Sequence, residues 1–320
     1  MKIKILALAI VAVLMVLVAG CDVEVTDRLY GVQGYALDIT TSAAASTSLS
    51  GAEITLTNLD DNSTVTATVS GNGTYSIVAR LVPGRYRLTG SKSGWTFIPQ
   101  EYYSGLEDDR VDMLAFPEAD PTTLTIAMAW DNAYYDIDLV ATYGPANEVS
   151  DITLGGASAR GQVYYGKTDS DPESVADGYV ITLERDVELM DGYNVPRVEM
   201  MSIVSNLNDY PTTELDASRE QIRVFANAYS YGTPANFDPG DTGLAEGGLT
   251  GALAEGKPSA NVTMFVMLGN EHFGTWYGPI ETLETTLHMV TIDLYMDGLN
   301  KMAKVMSAGN YGLDTFRSAQ

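Results

Sequence analysis

Apolar and polar residues alternate with a period of two along much of the chain. In EITLTNL, Ile54 and Leu56 share one face, while Thr55 and Thr57 share the other. This alternation is typical of β-strands that have one face in a core. It predicts further strands in TLTIAMAW (123–130), EQIRVFANA (220–228), NVTMFVML (261–268) and HMVTIDLYM (288–296).

Clusters of Gly, Asn, Asp and Pro separate the predicted strands, and long amphipathic helical patterns are scarce. The segment 299–306 has apolar residues at helical spacing, but a strand after the turn-forming pair Asp297–Gly298 explains it nearly as well. Many short strands with frequent turns are typical of β-sandwiches. We therefore predict an all-β fold with two antiparallel β-sandwich domains in tandem.

The stretch FPEADPTT (116–123) carries two prolines between two strand-rich blocks and marks the predicted domain boundary. We expect a first sandwich over residues 31–116 and a larger one over residues 118–320. A Gly- and Ala-rich stretch at 232–260 is predicted to be a long insertion in the second sandwich.

The N-terminus has the three zones of a secretory signal. Lys2 and Lys4 precede an uncharged apolar run, and the small residues Ala19 and Gly20 stand before Cys21. A transmembrane anchor is the alternative, because the apolar run approaches the length of a spanning helix. The acidic segment CDVEVTD follows it, however, where a basic stop-transfer cluster would be expected.

The segment LVAGC, which contains the only cysteine of the chain, resembles the bacterial lipobox. The resemblance implies that residues 1–20 are a cleaved signal peptide, that residues 21–30 are a tether, and that Cys21 carries fatty acyl chains such as palmitate. Two or three acyl chains hold a protein on a bilayer, whereas one binds weakly. We therefore expect a lipoprotein of the bacterial cell envelope, anchored to a membrane outside the cytoplasm, in the periplasm or on the cell surface.

The net charge of −24, from 18 basic and 42 acidic residues, narrows the range of partners. Such a surface repels a phosphate backbone, so we expect no binding to nucleic acid. It repels anionic lipid headgroups as well, which leaves acyl chains as the means of attachment to the lipid bilayer. The acidity also suits divalent cations.

The first block contains GAEITL, GNGTYSI, PGRYRLTGSKSGW and FIP, and it resembles the carboxypeptidase regulatory-like, transthyretin-type sandwich family. The spacing of these motifs has a physical explanation. Gly73 permits a turn before Tyr75, which faces inward, and Gly84 permits a turn before Tyr86 and Leu88. The resemblance implies a spacer, scaffold or binding module without catalytic residues.

The second block resembles an extracytoplasmic β-sandwich of the DUF2135 type. Trp130 ends a strand, Asp-x-Asp-Leu follows at 136–139, and an Asp-rich turn follows at 169–171. The element VPRVEM departs from the Gly-Pro-Glu of that family, and Val140 replaces its frequent histidine.

Acidic residues of the second block form the candidate metal site. Asp136 and Asp138 are two residues apart, so both carboxylates emerge on one face of a strand. An Asp-rich turn folded over that face would supply oxygen ligands to Ca²⁺, which takes six to eight. The spacing is not that of an EF-hand loop, and an ordinary solvated turn is the alternative. The candidate calcium ligands are Asp131, Asp136, Asp138, Asp169 and Asp171.

Catalytic motifs are absent from the sequence, which has only two histidines and no His-Glu-x-x-His, P-loop or Gly-x-Ser-x-Gly element. We therefore predict that the protein is not an enzyme. Aromatic pairs could form a stacking platform for sugar or peptide, although such residues are also common in half-buried strands. The candidate ligand aromatics are Tyr134, Tyr135, Tyr164, Tyr165, Trp276 and Tyr277.

Together these features predict a membrane-anchored lipoprotein that displays a non-catalytic binding or adhesion module to an unknown envelope protein or carbohydrate. Two alternatives stay open. One is a hydrolase of envelope polymers or peptides that uses carboxylates of the second block. The other is a structural component of a cell-envelope assembly.

Overall fold

The structure is a computed structural model, and it does not describe the predicted signal peptide, the tether before Tyr30 or the insertion before Ala260. Among the described residues, no helix is long and apolar enough to cross a bilayer. The described residues are 30–41, 47–79, 81–104, 109–131, 134–147, 149, 161–164, 168–169, 179–188, 197–204, 215–216, 219–231, 260–280, 286–297 and 300–308.

The first sandwich consists of two sheets, with strand orders β4-β1-β9-β6 and β3-β2-β5-β7; β8 also pairs with β1. β1 pairs in parallel with β8 and β9, while the other pairs are antiparallel. Apolar residues alternate in the same way in parallel and in antiparallel strands, so the sequence pattern does not predict these parallel pairs. The strands are β1 (Tyr30–Asp38), β2 (Glu53–Asn58), β3 (Thr64–Thr68), β4 (Thr74–Ala79), β5 (Gly84–Ser91), β6 (Trp95–Phe97), β7 (Gln100–Ser104), β8 (Asp109–Arg110) and β9 (Met113–Pro117), with a 3-10 helix at Thr47–Leu49.

The second sandwich is antiparallel throughout its described pairs, with strand orders β13-β14-β10-β16-β17 and β12-β11-β15-β18-β19. The segment with helical spacing near the end of the chain is a strand, β19. The strands are β10 (Thr123–Trp130), β11 (Tyr135–Pro145), β12 (Gln162–Val163), β13 (Val180–Arg185), β14 (Val198–Val204), β15 (Glu220–Tyr231), β16 (Ala260–Leu268), β17 (Glu271–Ile280), β18 (Thr286–Asp297) and β19 (Asn300–Ser307).

Each sandwich has its own core, and the predicted all-β fold is confirmed. Ile54 and Leu56 of β2 lie in the first core, where Tyr75 and Tyr86 are also buried. Gly73 precedes the inward Tyr75 with a φ of 81°, a conformation that glycine adopts without strain. In the second core, the inward residues of β10 are Leu124, Ile126, Met128 and Trp130.

A third apolar cluster joins the two sandwiches, and we call it the seam. The alternation in β10 places Ala127 and Ala129 opposite the core residues, on the face that a single sandwich would expose to water. The first sandwich covers that face. The buried members of the seam are Leu37, Ile39, Ile98, Leu114 and Phe116 from the first sandwich, and Ala127, Val198, Met200, Phe265 and Met267 from the second.

Polar contacts fix the seam at its margins. Arg185 Nη1 donates a 2.7 Å hydrogen bond to the carbonyl oxygen of Ile39. Asn270, in the turn between β16 and β17, donates to Glu118 at 2.6 Å and also contacts the hydroxyl group of Thr96. Because apolar burial and directed hydrogen bonds act together, we expect the two sandwiches to behave as one rigid body.

Candidate functional site

The candidate calcium ligands lie in different places. Asp136 and Asp138 alternate with core residues of β11 and share its other face, where both are buried. Asp131 ties the end of β10 to the start of β16, since its two carboxylate oxygens accept hydrogen bonds of 2.8 and 2.7 Å from the main chain and side chain of Asn261. Asp169 is exposed and accepts a 3.1 Å bond from Thr182. Asp171 lies outside the described residues.

The structure instead brings Asp138 together with two acidic residues that the sequence did not single out. One carboxylate oxygen from each of Asp138, Asp186 and Glu199 lies within 4.8 Å of the other two. We call this group the carboxyl cluster. Glu199 is 0% exposed and Asp138 is 5% exposed, while Asp186 is partly buried. No other group of this kind is found in the part of the chain that the structure describes.

Strand geometry explains why Glu199 is inside the sandwich. On β14, Glu199 has the same parity as Met201 and Ile203, which belong to the core. Its carboxyl group reaches across the interior and accepts a 2.6 Å hydrogen bond from the backbone N–H of Leu139 on β11. It also accepts a 3.2 Å bond from the N–H of Val187.

The bond from Leu139 ties β11 to the opposite sheet. Farther along β11, the described pairs with β12 are Ala141 with Val163 and Thr142 with Gln162. A buried N–H without an acceptor costs about 1–3 kcal/mol. Glu199 therefore satisfies a buried backbone N–H group of β11.

The environment of the carboxyl cluster favours protonated carboxyl groups. Burial raises the pKa of Glu199 well above its ordinary value, and the charges of Asp186 and Asp138 add to this. Burial also raises the pKa of Asp138 to about 8, supported by the charges of Asp136 and Asp186 and opposed by a hydrogen bond from Asn227. Near neutral pH the cluster therefore retains protons, unless a hard cation takes their place.

A weak signal for Glu199 was present in the sequence. In VEMMSIV, the glutamate is followed two and four residues later by Met201 and Ile203, which would share its face of a strand. A charged residue at an inward position is rare unless it has partners. Its partners are distant in sequence, however, so the pattern could not identify them.

The candidate ligand aromatics separate into buried and exposed residues. Tyr135 and Trp276 are 0% exposed and belong to the core, which corrects their interpretation as ligand aromatics. Trp276 and Tyr277 are neighbours on β17 and point to opposite faces, so Tyr277 is exposed. Tyr134 and Tyr164 are partly buried, and Tyr165 lies outside the described residues.

Tyr277 lies beside the edge of the first sandwich. Its pKa is raised by partial burial and, secondly, by the charge of Glu101 on β7. Tyr103 follows Glu101 by two residues, shares its face of β7 and is 66% exposed. The neighbouring strand places Arg87 opposite Glu101 and Arg85 opposite Tyr103.

We call these five residues the aromatic patch. The patch has members from both sandwiches, and within it the Arg87 Nε atom donates a 2.8 Å hydrogen bond to Glu101. Exposed phenol rings beside fixed polar groups can stack on an apolar ligand face while binding its hydroxyl or amide groups. The members are Arg85, Arg87, Glu101, Tyr103 and Tyr277.

The two histidines have local partners. His272 Nε2 lies 2.9 Å from the hydroxyl group of Thr275, and His288 Nε2 lies 3.0 Å from that of Thr291. The His288 ring also stacks on Phe225, with ring centroids 4.6 Å apart. These contacts orient both rings.

No protein-family model matches the chain, and no curated protein matches it. The resemblances to the carboxypeptidase regulatory-like and DUF2135-type families therefore stay predictions. The chain aligns with a solved DUF3823 family protein from Bacteroides ovatus at 12% identity, covering 64% of this chain and 93% of that one, with a TM-score of 0.21.

Two further solved structures align at similar levels. A DUF3823 family protein from Parabacteroides merdae shares 11% identity over 80% of this chain and 98% of its own, with a TM-score of 0.22. A putative adhesin from Bacteroides ovatus shares 9% identity over 79% of this chain and 83% of its own, with a TM-score of 0.22. At these scores the likeness carries no argument about function.

Proposed function

We propose that this protein is a lipid-anchored protein of the bacterial cell envelope that displays a non-catalytic binding module, with the aromatic patch as its contact surface for carbohydrate. The observation that carries the proposal is that Glu101 of the first sandwich is near enough to Tyr277 of the second to raise its pKa, while Tyr103 shares the exposed face of β7 with Glu101. A preformed surface binds more tightly, because less conformational freedom is lost on binding.

The chemistry of the patch supports a sugar ligand. The rings of Tyr103 and Tyr277 are 66% and 56% exposed and can stack on the apolar face of a pyranose. The Arg87–Glu101 pair offers both donors and an acceptor for hydroxyl groups. An envelope protein is the alternative partner, and its side chains would use the same surface.

The predicted lipid at Cys21 would place this surface near a membrane. Only residues 22–29 separate Cys21 from β1. Even a fully extended tether of that length spans about 30 Å. The first sandwich would then lie close to the bilayer, with the second sandwich held on it by the seam.

The carboxyl cluster does not favour the hydrolase alternative. Glu199 is wholly buried and accepts bonds from two backbone N–H groups. A general acid must lie within hydrogen-bond reach of the substrate. The position of Glu199 between the sheets supports a structural role. Calcium binding stays a prediction, and Asp138, Asp186 and Glu199 are the oxygen ligands that the fold brings together for it.

The binding proposal is tested with Tyr103→Ala and Tyr277→Ala, each assayed on insoluble cell-wall polysaccharide and on a panel of soluble oligosaccharides. Tyr229→Ala is the matched control, because Tyr229 is also 56% exposed but lies on β15. We expect each patch variant to weaken binding by about tenfold or more, the scale of a lost stacking contact, and the control to bind normally. Equal losses in all three variants, or no binding by the wild type, would contradict the proposal.

The anchor is tested separately with Cys21→Ser and with mass spectrometry of the native protein. The variant should leave the membrane fraction and lose its fatty acyl label. A native protein that begins at Met1 without an acyl adduct would exclude the anchor and leave the binding proposal intact.

A further inference from the structure

Exposed aliphatic side chains gather at one end of the first sandwich. In the part of the chain that the structure describes, the large aliphatic residues that are exposed, apart from Leu215, are Val65, Val78 and Val82, at 38%, 64% and 53%. We call these three the valine rim. Apolar side chains scattered singly over a surface are ordinary, whereas a cluster of them marks a contact site.

The valine rim borders a cavity of about 150 Å³ beside β3 and β4. These two strands end their sheets, so none of the described strands pairs with their outer edges. Val65 of β3 and Val82 line the cavity, while Val78 of β4 faces outward and immediately precedes a third lining residue, Ala79. The remaining apolar lining comes from Leu56, Leu81 and Tyr86.

Hydrogen bonds hold both walls of this cavity. Its polar wall belongs to the turn 58–63, in which Asp61 accepts a 2.8 Å hydrogen bond from the N–H of Ser63. On the apolar wall, the hydroxyl group of Tyr86 accepts a 3.1 Å bond from the N–H of Val82 and donates a 2.9 Å bond to its carbonyl oxygen. The valine rim is therefore a preformed surface that loses little conformational freedom on contact.

The predicted tether joins the first sandwich beside the valine rim. Tyr30, the first residue of β1, pairs with the lining residue Ala79. The seam residues Leu37 and Ile39 lie at the other end of the same strand, roughly 25 Å away. The rim and the second sandwich are thus at opposite ends of the first sandwich, and residues 22–29 would attach an acylated Cys21 at the end that carries the rim.

We infer that the valine rim rests on the bilayer that carries the predicted lipid at Cys21, with its side chains at the boundary between headgroups and acyl chains. The inference rests on the proposed lipid anchor and adds the orientation of the protein on the membrane. In this orientation the second sandwich stands away from the bilayer, and the aromatic patch is held above it.

Charge and hydroxyl groups around the rim specify the kind of lipid. Asp60 and Asp61 are exposed beside it, so the surface fits zwitterionic headgroups and is repelled by anionic ones. Thr64 and Thr66 are exposed on either side of Val65 in β3. Their hydroxyl groups can donate hydrogen bonds to the phosphate and ester oxygens of a headgroup.

The single cysteine of the chain permits a direct test. Val78→Cys and Val82→Cys each add one thiol to a full-length lipoprotein whose own cysteine is expected to be acylated. Each variant is labelled with a polarity-sensitive fluorophore and reconstituted into phosphatidylcholine vesicles, in which some lipids carry a nitroxide quencher near the headgroup end of an acyl chain. We expect both labels to lose about half of their emission or more, because an interfacial apolar face lies about 5–10 Å deep, at the level of the nitroxide.

Ser93→Cys is the matched control. Ser93 is exposed and follows β5, whereas Val82 precedes β5, so the two residues lie at opposite ends of that strand. The control should bind the vesicles equally and keep its emission.

Three results would overturn the inference. Vesicle-bound protein whose labels at both valines stay in water and unquenched would do so and leave the anchor intact. Labels that are shielded from water but not quenched by the nitroxide lipid would assign the rim to a second copy of the chain or to another protein. Failure of all three variants to bind the vesicles would refute the proposed anchor, and the inference with it.

Discussion

The backbone N–H of Leu139 donates a 2.6 Å hydrogen bond to the carboxyl group of Glu199, and this bond joins the two sheets of the second sandwich. A side chain from the opposite sheet thus completes the hydrogen bonding of β11. This bond places a buried acid in direct contact with the backbone of β11.

Replacing Glu199 tests the bond directly. Glu199→Ala leaves the N–H groups of Leu139 and Val187 without their acceptor, at a cost of about 1–3 kcal/mol each. We expect the free energy of unfolding of the second sandwich to fall by about 2–5 kcal/mol. Glu199→Gln keeps one acceptor oxygen and should lose less. Urea denaturation measures the difference, and an Ala variant as stable as the Gln variant would contradict this role.

The stability of the wild type should depend on pH in a definite direction. The pKa of Asp138 is about 8 in the folded protein and 3.8 ordinarily, so the folded state binds more protons between these values. The free energy of unfolding therefore falls as pH rises through this window, by at most about 1.4 kcal/mol per pH unit for each proton. Asp138→Asn should flatten the slope. Urea midpoints across the window measure it, and a rising or flat wild-type profile would refute the assignment.

Removing an apolar contact should uncouple the sandwiches. Phe265 is 3% exposed and lies in the seam, so we expect Phe265→Ala to cost about 3–5 kcal/mol and to split the calorimetric transition into two. Phe225→Ala is the matched control. Phe225 is equally buried but lies on β15, outside the seam, so its loss should lower the melting temperature while the transition stays single. A single transition in Phe265→Ala would contradict the role of this contact in coupling the two sandwiches.

The first sandwich depends on a close backbone approach at Gly34. A Cβ atom at this position would lie 1.9 Å from the carbonyl oxygen of Val111. That backbone is itself held by a 3.0 Å bond from the N–H of Val111 to Gln33. We expect Gly34→Ala to destabilise the first sandwich by about 1–3 kcal/mol, as measured by thermal unfolding. Gly71→Ala should be nearly neutral, because nothing lies within 4 Å of its Cβ position.

The calcium prediction can be tested on the cluster that the structure brings together. Millimolar calcium should raise the wild-type thermal midpoint above its value in chelator, because a ligand that binds only the folded state stabilises it. Asp138→Asn should abolish the increase. Asp131→Asn should retain the increase in thermal midpoint, since both carboxylate oxygens of Asp131 already accept hydrogen bonds from Asn261. Equal midpoints with calcium and chelator would argue against a metal site.

Much of the fold follows from local pattern. The alternation in β2, β10, β15, β16 and β18 predicts both the strands and the residues that face the two cores. The segment 299–306 shows the limit of this reasoning, because its spacing suited a helix and a strand alike. Pairing with β18 settles it as a strand, and such pairing is a long-range contact that no local window contains.

The site was predicted less completely. Asp138 was identified because it shares a strand face with Asp136, which is a local property. Asp186 and Glu199 were not identified, because their relation to Asp138 depends on a bulge in β13 and on contact between the two sheets. Trp276 was assigned to a ligand surface because an aromatic pair does not reveal which ring faces the core.

The sequence alone determined the strand periodicity, the all-β class and the acidic surface, since each is a property of neighbouring residues or of composition. It also predicts the lipid at Cys21. The tertiary structure decided which faces meet. It buried the alanine face of β10 in a seam, placed Tyr277 beside the first sandwich and gathered three carboxyl groups from separate parts of the chain. Those relations arise from packing between residues far apart in the chain, and only the folded molecule specifies them.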